Sequence, residues 1–176
     1  MFLPLIVGFL VSATLVTAIV TTVGLGAGAA EIAVPVAGVL LPALAIFELT
    51  SLRKTCVLRQ TPRTLPQVFG SRLGGLAWGL DTGAMLTTFR TSSATYATLG
   101  LCLLGFGTAW SGVAYAFGFC VPLALAIYGY SPTPRTAGHD TAVPQLIERI
   151  AGDAHKIRWL TATLMVATAI AILLSR

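Results

Sequence analysis

The chain alternates long uncharged stretches with two short polar segments. The stretches without Asp, Glu, Lys or Arg are residues 1–30, 32–47, 91–134 and 159–175. A helix needs about 20 apolar residues to cross a bilayer. Backbone groups in lipid must hydrogen-bond internally, so only helices or closed barrels cross it. Because these stretches lack the alternation of barrel strands, the pattern predicts an all-α, polytopic helical membrane protein.

Six apolar segments are candidate spans, and five is the alternative. The candidates lie at about residues 3–23, 31–50, 73–89, 95–109, 113–130 and 158–175. The uncharged stretch 91–134 is too long for one crossing, and Gly105, Gly107 and Gly112 mark where it turns. The segment 95–109 is short, and if it is re-entrant the count falls to five.

The two polar segments determine the predicted orientation. The first, residues 51–72, has no acidic residue and five basic ones: Arg53, Lys54, Arg59, Arg63 and Arg72. Short loops rich in Lys and Arg stay in the cytoplasm, so we expect this loop there. With six spans the second segment, 131–157, lies outside. With five spans it also lies inside, and the C-terminus is outside.

The second polar segment predicts an amphipathic helix that continues into the last span. From Pro144 onward, apolar residues recur at helical spacing, and charged residues lie off that face. Such a helix lies in the membrane interface. Trp159 then stands where interfacial aromatic residues are common.

Composition excludes several protein classes. Hydrophobic residues make up 56% of the chain and charged residues 10%, with mean hydropathy +0.86. Soluble domains are about 25% charged, so a soluble globular protein, a disordered chain and a nucleic-acid-binding domain are excluded. The lipid bilayer is the expected partner, and a cell membrane is the expected location of this multi-pass protein.

Asp81 is the most informative candidate functional residue, because it lies inside an apolar span. A carboxylate at the bilayer centre costs about 2.5–3.5 kcal/mol and normally faces a cavity, a partner or a pathway. Helical spacing predicts that Asp81, Met85 and Thr88 share one face. Together with Thr82 they would line a substrate pathway. The alternative is an aspartate that only fixes helix packing.

The span around Asp81 is rich in glycine. The residues concerned are Gly74, Gly75, Gly79 and Gly83. Glycines allow another backbone to approach closely, or allow a helix to break and expose groups that bind a substrate. We expect one of these two arrangements.

The cysteines offer a second kind of chemistry. Cys102 and Cys120 lie in predicted spans, and Cys56 lies in the first loop. Buried free cysteines usually act as small packing residues. Alternatively, Cys102 and Cys120 form a redox pair that cycles between dithiol and disulfide. His139 and His155 have no third ligand at metal spacing, so the sequence predicts neither a metal site nor a cofactor.

Several stretches resemble the cytochrome c biogenesis (CcdA/DsbD-type) transmembrane family. Residues 115–123, from Tyr115 to Pro122 and Leu123, resemble its tyrosine–small–aliphatic–Gly–x–x–x–Pro signature. Residues 75–89 resemble the Gly-rich span that opens its second half, and 146–152 resemble the segment leading into its last helix. The resemblance covers about residues 30–175 and implies thiol–disulfide transport of reducing equivalents, with a thioredoxin-like partner.

The chain departs from that family at the reactive cysteines. The resemblance implies one intramembrane cysteine in each half, usually followed by proline. Neither expected position holds a cysteine here, and Cys120 lies within the signature instead. The wider superfamily also includes solute and metal exporters that need no cysteine, which would make Asp81 the functional group.

Three functions follow as hypotheses. The first is a carrier that moves a solute, ion or proton through a pathway centred on Asp81. The second is a transmembrane electron carrier that uses Cys102 and Cys120, which would be an oxidoreductase. The third is a non-catalytic subunit of a larger membrane complex, bound to a partner membrane protein. Only the second hypothesis makes the chain an enzyme, so a non-enzymatic role is favoured.

Overall fold

The computed structural model describes residues 2–50, 61–62, 64–85, 92–108, 110–129 and 142–175. Over these residues the protein is all-α, as the sequence predicts, and a short 3₁₀ turn at Ala29–Ile32 joins the first two helices. The helices are α1 (Phe2–Gly26), α2 (Ala33–Leu49), α3 (Leu65–Gly83), α4 (Ala94–Leu103), α5 (Ser111–Gly129) and α6 (Ala142–Leu174).

Among the described residues, three helical segments are long and apolar enough to cross a membrane. They are Leu3–Gly26, Ala29–Leu49 and His155–Leu174. Large apolar side chains on them point outward, such as Leu15, Val39 and Leu164, each more than half exposed. Such surface is unfavourable in water and favourable in lipid. The fold is therefore that of a multi-pass membrane protein.

Glycines bring α1 and α3 into backbone contact. A Cβ atom at Gly79 would overlap the Leu5 carbonyl, and one at Gly83 would lie 2.6 Å from the Phe9 carbonyl oxygen. A Cβ at Gly8 would likewise overlap the carbonyl of Leu76. Small residues let membrane helices approach this closely. Because residue numbers rise together along both helices, α3 runs parallel to the first half of α1.

The second half of α1 packs against α4 and α5. A Cβ at Gly24 would overlap the carbonyl of Leu103, at the end of α4. Gly112, at the start of α5, lies against the Ala13–Thr17 turn of α1. Further along α5, the Phe119 ring stacks on Phe9 with centroids 4.6 Å apart. Consequently α4 runs parallel to α1, and α5 runs antiparallel to it.

Helices α2 and α6 form the other side of the protein. Their shared core contains Leu41 and Ala45 of α2 with Ala162, Met165 and Ala169 of α6. Gly38 contacts Leu173, so the two helices are antiparallel. Since Ala33 packs with Leu104 while the other end of α2 meets the start of α4, α2 is antiparallel to α4.

The helix bounds differ from the predicted spans mainly in α3 and α4. The span expected at 73–89 instead ends at Gly83, and the one expected at 95–109 ends at Leu103. Met85 explains the first difference, because its φ of 58° is left-handed and cannot continue a right-handed helix. A single helix, α6, contains both the segment predicted as amphipathic and the last candidate span.

Gly70 reverses the chain at the start of α3. Its φ of 73° and ψ of 171° interrupt the helix between Leu65 and Gly83, a conformation that glycine adopts without steric cost. The hydroxyls of Thr61 and Thr82 lie 3.3 Å apart. Since residues 71–83 rise about 20 Å, the segment before Gly70 must run back along α3.

Candidate functional site

Helices α3 and α4 lie end to end along α1. Gly79 and Gly83 contact the first half of α1, while Leu103 contacts Gly24 near its far end. Residues 71–83 and the ten residues of α4 rise about 20 and 15 Å. The 25 residues of α1 rise about 37 Å. The two shorter helices therefore match one full-length helix, with an interruption beside the middle of α1.

Met85 marks the beginning of this interruption. Its side chain is 1% exposed and belongs to the core cluster that contains Phe9, Ala13 and Cys120. A left-handed backbone at a residue other than glycine costs about 1–3 kcal/mol and persists where surrounding contacts hold it. Burial of the Met85 side chain provides such contacts, so the end of α3 is a fixed feature of the core.

Glu48 holds the other side of the interruption, at the start of α4. The Ser93 amide donates to Glu48 Oε2 at 2.6 Å, and the Ser93 hydroxyl contacts the same oxygen. The Leu44 carbonyl lies 3.1 Å from the Ser93 hydroxyl. Glu48 and Ser93 are 2% and 0% exposed. A carboxylate at a helix N-terminus is stabilised by the helix dipole and by unpaired amides.

A cavity of about 760 Å³ opens at the interruption and continues between α4, α5 and α6. Its hydroxyl-bearing residues are Thr82, Ser92, Thr95, Thr98, Tyr115, Thr161 and Thr168. Its other lining residues are Leu41, Ala94, Ala97, Leu101, Gly118, Phe119, Ile157, Leu164 and Met165. Charged side chains are absent from this described lining. The volume is typical of a small-molecule site.

Most threonine hydroxyls in the cavity donate to their own helix. Thr98 donates to the Ala94 carbonyl at 2.9 Å, and Thr161 and Thr168 donate to carbonyls one turn earlier in α6. Thr95 and Tyr115 differ, because their hydroxyls bond to each other at 2.9 Å across α4 and α5. This pair has two O–H donors and uses one of them between its members.

The residues predicted for a pathway are not all brought together. Thr82 lines the cavity. Asp81 precedes it in the last turn of α3. The Asp81 side chain is partly buried, and its Oδ2 atom is shielded from solvent. Met85 lies beyond the helix end in the core, so the shared helical face predicted for Asp81 and Met85 does not form. Thr88 lies outside the described residues.

The two cysteines are buried free thiols in different environments. Cys102 lies near Thr21 and Ser111, where α4 ends and α5 begins. Cys120 lies nine residues beyond Ser111, which is about 13 Å along α5. A disulfide requires Cα atoms about 4.4–6.8 Å apart. Pairing would therefore need α4 and α5 to shift, and the redox hypothesis stays a prediction.

Glu48 is the residue that sequence reasoning missed. The sequence assigns it to the end of a span, where a charged residue reaches the interface without cost. The structure buries it against the start of α4. One signal was available, because Glu48 follows sixteen uncharged residues in the manner of Asp81. Its partner Ser93 lies 45 residues away, and no local pattern predicts that contact.

The described residues contain no group of three or more His, Cys, Asp or Glu side chains able to hold a metal ion. Comparison with known proteins gives no identification either: no family model, curated protein or solved structure matches the chain. The resemblance to the cytochrome c biogenesis family thus stays a prediction.

Proposed function

We propose that the protein is a small membrane carrier that moves a solute through the cavity at the junction of α3 and α4. The observation that carries this proposal is the position of the cavity. Thr82, at the end of α3, and Ser92, just before α4, both line it. Many carriers bind their substrates where a membrane helix is interrupted.

The proposal treats α3 and α4 as one interrupted crossing, which gives five crossings in total. Helix directions alternate as α1, α2, the α3–α4 pair, α5 and α6. Neither α3 beyond Gly70 nor α4 alone reaches the roughly 30 Å of a hydrocarbon core. Together they do. The N- and C-termini then lie on opposite sides of the membrane.

Charge supports this arrangement. Nine of the eleven basic residues lie in two sequence segments, 51–72 and 135–158. These are Arg53, Lys54, Arg59, Arg63, Arg72, Arg135, Arg149, Lys156 and Arg158. The connecting segments on the other side, 27–32 and 104–110, contain no Lys or Arg, and Arg176, which follows α6, is expected on that side. Five crossings therefore put both basic loops on the cytoplasmic side, in accord with the positive-inside rule.

Asp81 is the group we expect to control the carrier cycle. It lies one residue before the cavity-lining Thr82, in the last turn of α3. The carboxylate there meets the negative end of the helix dipole, an interaction that a bound cation would offset. Glu48 is in a comparable position at the end of α2, but the start of α4 offsets the effect.

Alternating access can be tested without knowing the substrate. Thr98 lines the cavity, and Thr98→Cys supplies a single thiol when Cys56, Cys102 and Cys120 are replaced by Ser. A membrane-impermeant thiol reagent is applied to right-side-out and inside-out vesicles. A carrier predicts labelling from both sides, whereas a purely structural subunit predicts labelling from neither.

Asp81→Asn in the same chain tests the carboxylate, because it keeps the side-chain shape and removes the charge. We expect normal expression and a shift of at least about threefold in the ratio of labelling from the two sides, or about 0.7 kcal/mol in the conformational equilibrium. An unchanged ratio would remove Asp81 from the mechanism. No labelling of Thr98→Cys from either side would contradict the carrier itself.

A further inference from the structure

The cavity is open where α5 and α6 diverge. Both helices contact α4, yet they form no extensive contact with each other along their described lengths. A Cβ atom at Gly118 would meet nothing within 4 Å, so bare backbone forms part of the α5 wall. In a bilayer, a cleft between two spans is accessible to molecules dissolved in the lipid.

The lining is suited to an uncharged molecule. Its described side chains are apolar or hydroxyl-bearing. The start of α4, which could attract an anion, is already in contact with Glu48. An ion buried in such surroundings would lose its hydration without a compensating partner. The described part of the lining therefore favours an uncharged ligand.

Hydrogen-bond inventory indicates which polar group the molecule carries. The hydroxyls of Thr98, Thr161 and Thr168 donate to carbonyls of their own helices. Those of Thr82 and Ser92 lie at the α3–α4 junction, where the Thr61 hydroxyl and the Ala94 amide contact them. The Thr95–Tyr115 pair uses one of its two donors internally, which leaves one O–H at the cavity wall. A ligand that accepts a hydrogen bond, such as a ketone or quinone carbonyl, satisfies that donor.

We propose that the cleft between α4, α5 and α6 binds a neutral, lipid-soluble molecule whose carbonyl oxygen accepts a hydrogen bond from the Thr95–Tyr115 pair. The apolar body of the molecule lies against Ala97, Leu101 and Phe119 and enters sideways from the bilayer. This proposal rests on the proposed carrier function and names the substrate class of the same site.

The test uses a long-chain methyl ketone that carries a photoreactive diazirine, with the matched long-chain carboxylate as the charged probe. The full-length protein is placed in phosphatidylcholine nanodiscs, irradiated and mapped by mass spectrometry. We expect saturable labelling of α4 and α5 by the ketone and at least about tenfold less by the carboxylate. Equal saturable labelling by the two probes would overturn the neutral-ligand assignment.

Three variants locate the site. Gly118→Phe fills open space and should remove saturable labelling. The double variant Thr95→Val with Tyr115→Phe removes both hydroxyls and should weaken ketone binding about tenfold, as expected for one lost hydrogen bond. Val39→Phe, on the exposed face of α2, is the control, and the ketone should label it as strongly as it labels the unaltered protein. Undiminished labelling of Gly118→Phe would mean that the probe samples general lipid-facing surface, which would overturn the proposal.

Failure of this proposal is distinguishable from failure of the carrier proposal. Ketone labelling together with a Thr98→Cys thiol that is closed to both sides would keep the ligand class and reject transport. Two-sided access to Thr98→Cys without saturable ketone labelling would keep transport and reject the ligand class.

Discussion

The two halves of the interrupted segment differ in how they are packed. Helix α3 lies in backbone contact with α1, through glycines at which no side chain fits. Helix α4 touches α1 near Gly24, but it presents Thr95, Thr98 and Leu101 to an open cavity. We infer from this difference that α3 is held in place by α1, whereas α4 carries the binding surface.

The close contact of α3 with α1 is the easiest feature to break. A Cβ at Gly79 would overlap the Leu5 carbonyl and lie 2.9 Å from the Phe9 amide nitrogen. We expect Gly79→Ala to cost about 1–3 kcal/mol, as overpacking does, and Gly79→Leu to prevent recovery of folded protein. The yield of monodisperse protein in detergent and its thermal midpoint measure both effects.

Gly26 is the matched control, because a Cβ there meets nothing within 4 Å. Gly26→Ala should leave the midpoint unchanged or raise it slightly, since alanine favours helix by up to about 1 kcal/mol. If Gly79→Ala and Gly26→Ala give the same thermal midpoint, α1 and α3 are not in close backbone contact.

The attachment of α4 is weaker and depends on Glu48. Glu48→Ala leaves the buried Ser93 amide without its carboxylate acceptor, which costs about 1–3 kcal/mol. We expect the thermal midpoint to fall by about 4–8 °C. Glu48→Gln keeps a carbonyl acceptor, so its thermal midpoint should fall less.

Glu31→Ala is the control, because Glu31 is an exposed acid in the 3₁₀ turn. Its thermal midpoint should not change, and a fall equal to that of Glu48→Ala would show that Glu48 has no special role.

The smallest effect is expected at the cysteines. Cys102→Ser and Cys120→Ser replace buried thiols that lie too far apart to pair in this arrangement, so under the carrier hypothesis the Thr98→Cys chain, which already carries both substitutions, should keep two-sided access. Each should cost only about 1 kcal/mol in stability. Loss of function in both variants, with folding intact, would instead favour the electron carrier.

Hydropathy predicts much of the fold and little of its interruption. The uncharged stretches identify the helices, and the glycine spacing around Asp81 anticipates a close backbone approach, which Gly79 and Gly83 make. The residue at which α3 ends could not be predicted, because residues 73–89 are uncharged apart from Asp81. That end depends on the left-handed, buried Met85, and its stability comes from tertiary contacts.

The candidate site is predictable only at single positions. An acid within an apolar span points to Asp81, and Thr82 beside it does line the cavity. The remaining lining comes from α4, α5 and α6, whose juxtaposition depends on how helices pack over long sequence separations. Glu48 and Ser93 illustrate the limit, since each is unremarkable in its own segment and their contact joins two helix ends.

The central claim is that α3 and α4 make one interrupted crossing, and the sidedness of two thiols tests it most directly. One chain keeps Cys56 as its single cysteine, and another carries only Ser175→Cys. Intact cells are treated with a membrane-impermeant maleimide, before and after permeabilisation. Five crossings predict that Ser175→Cys labels in intact cells and that Cys56 labels only after permeabilisation. If both thiols label only after permeabilisation, α3 and α4 cross separately and the account is contradicted.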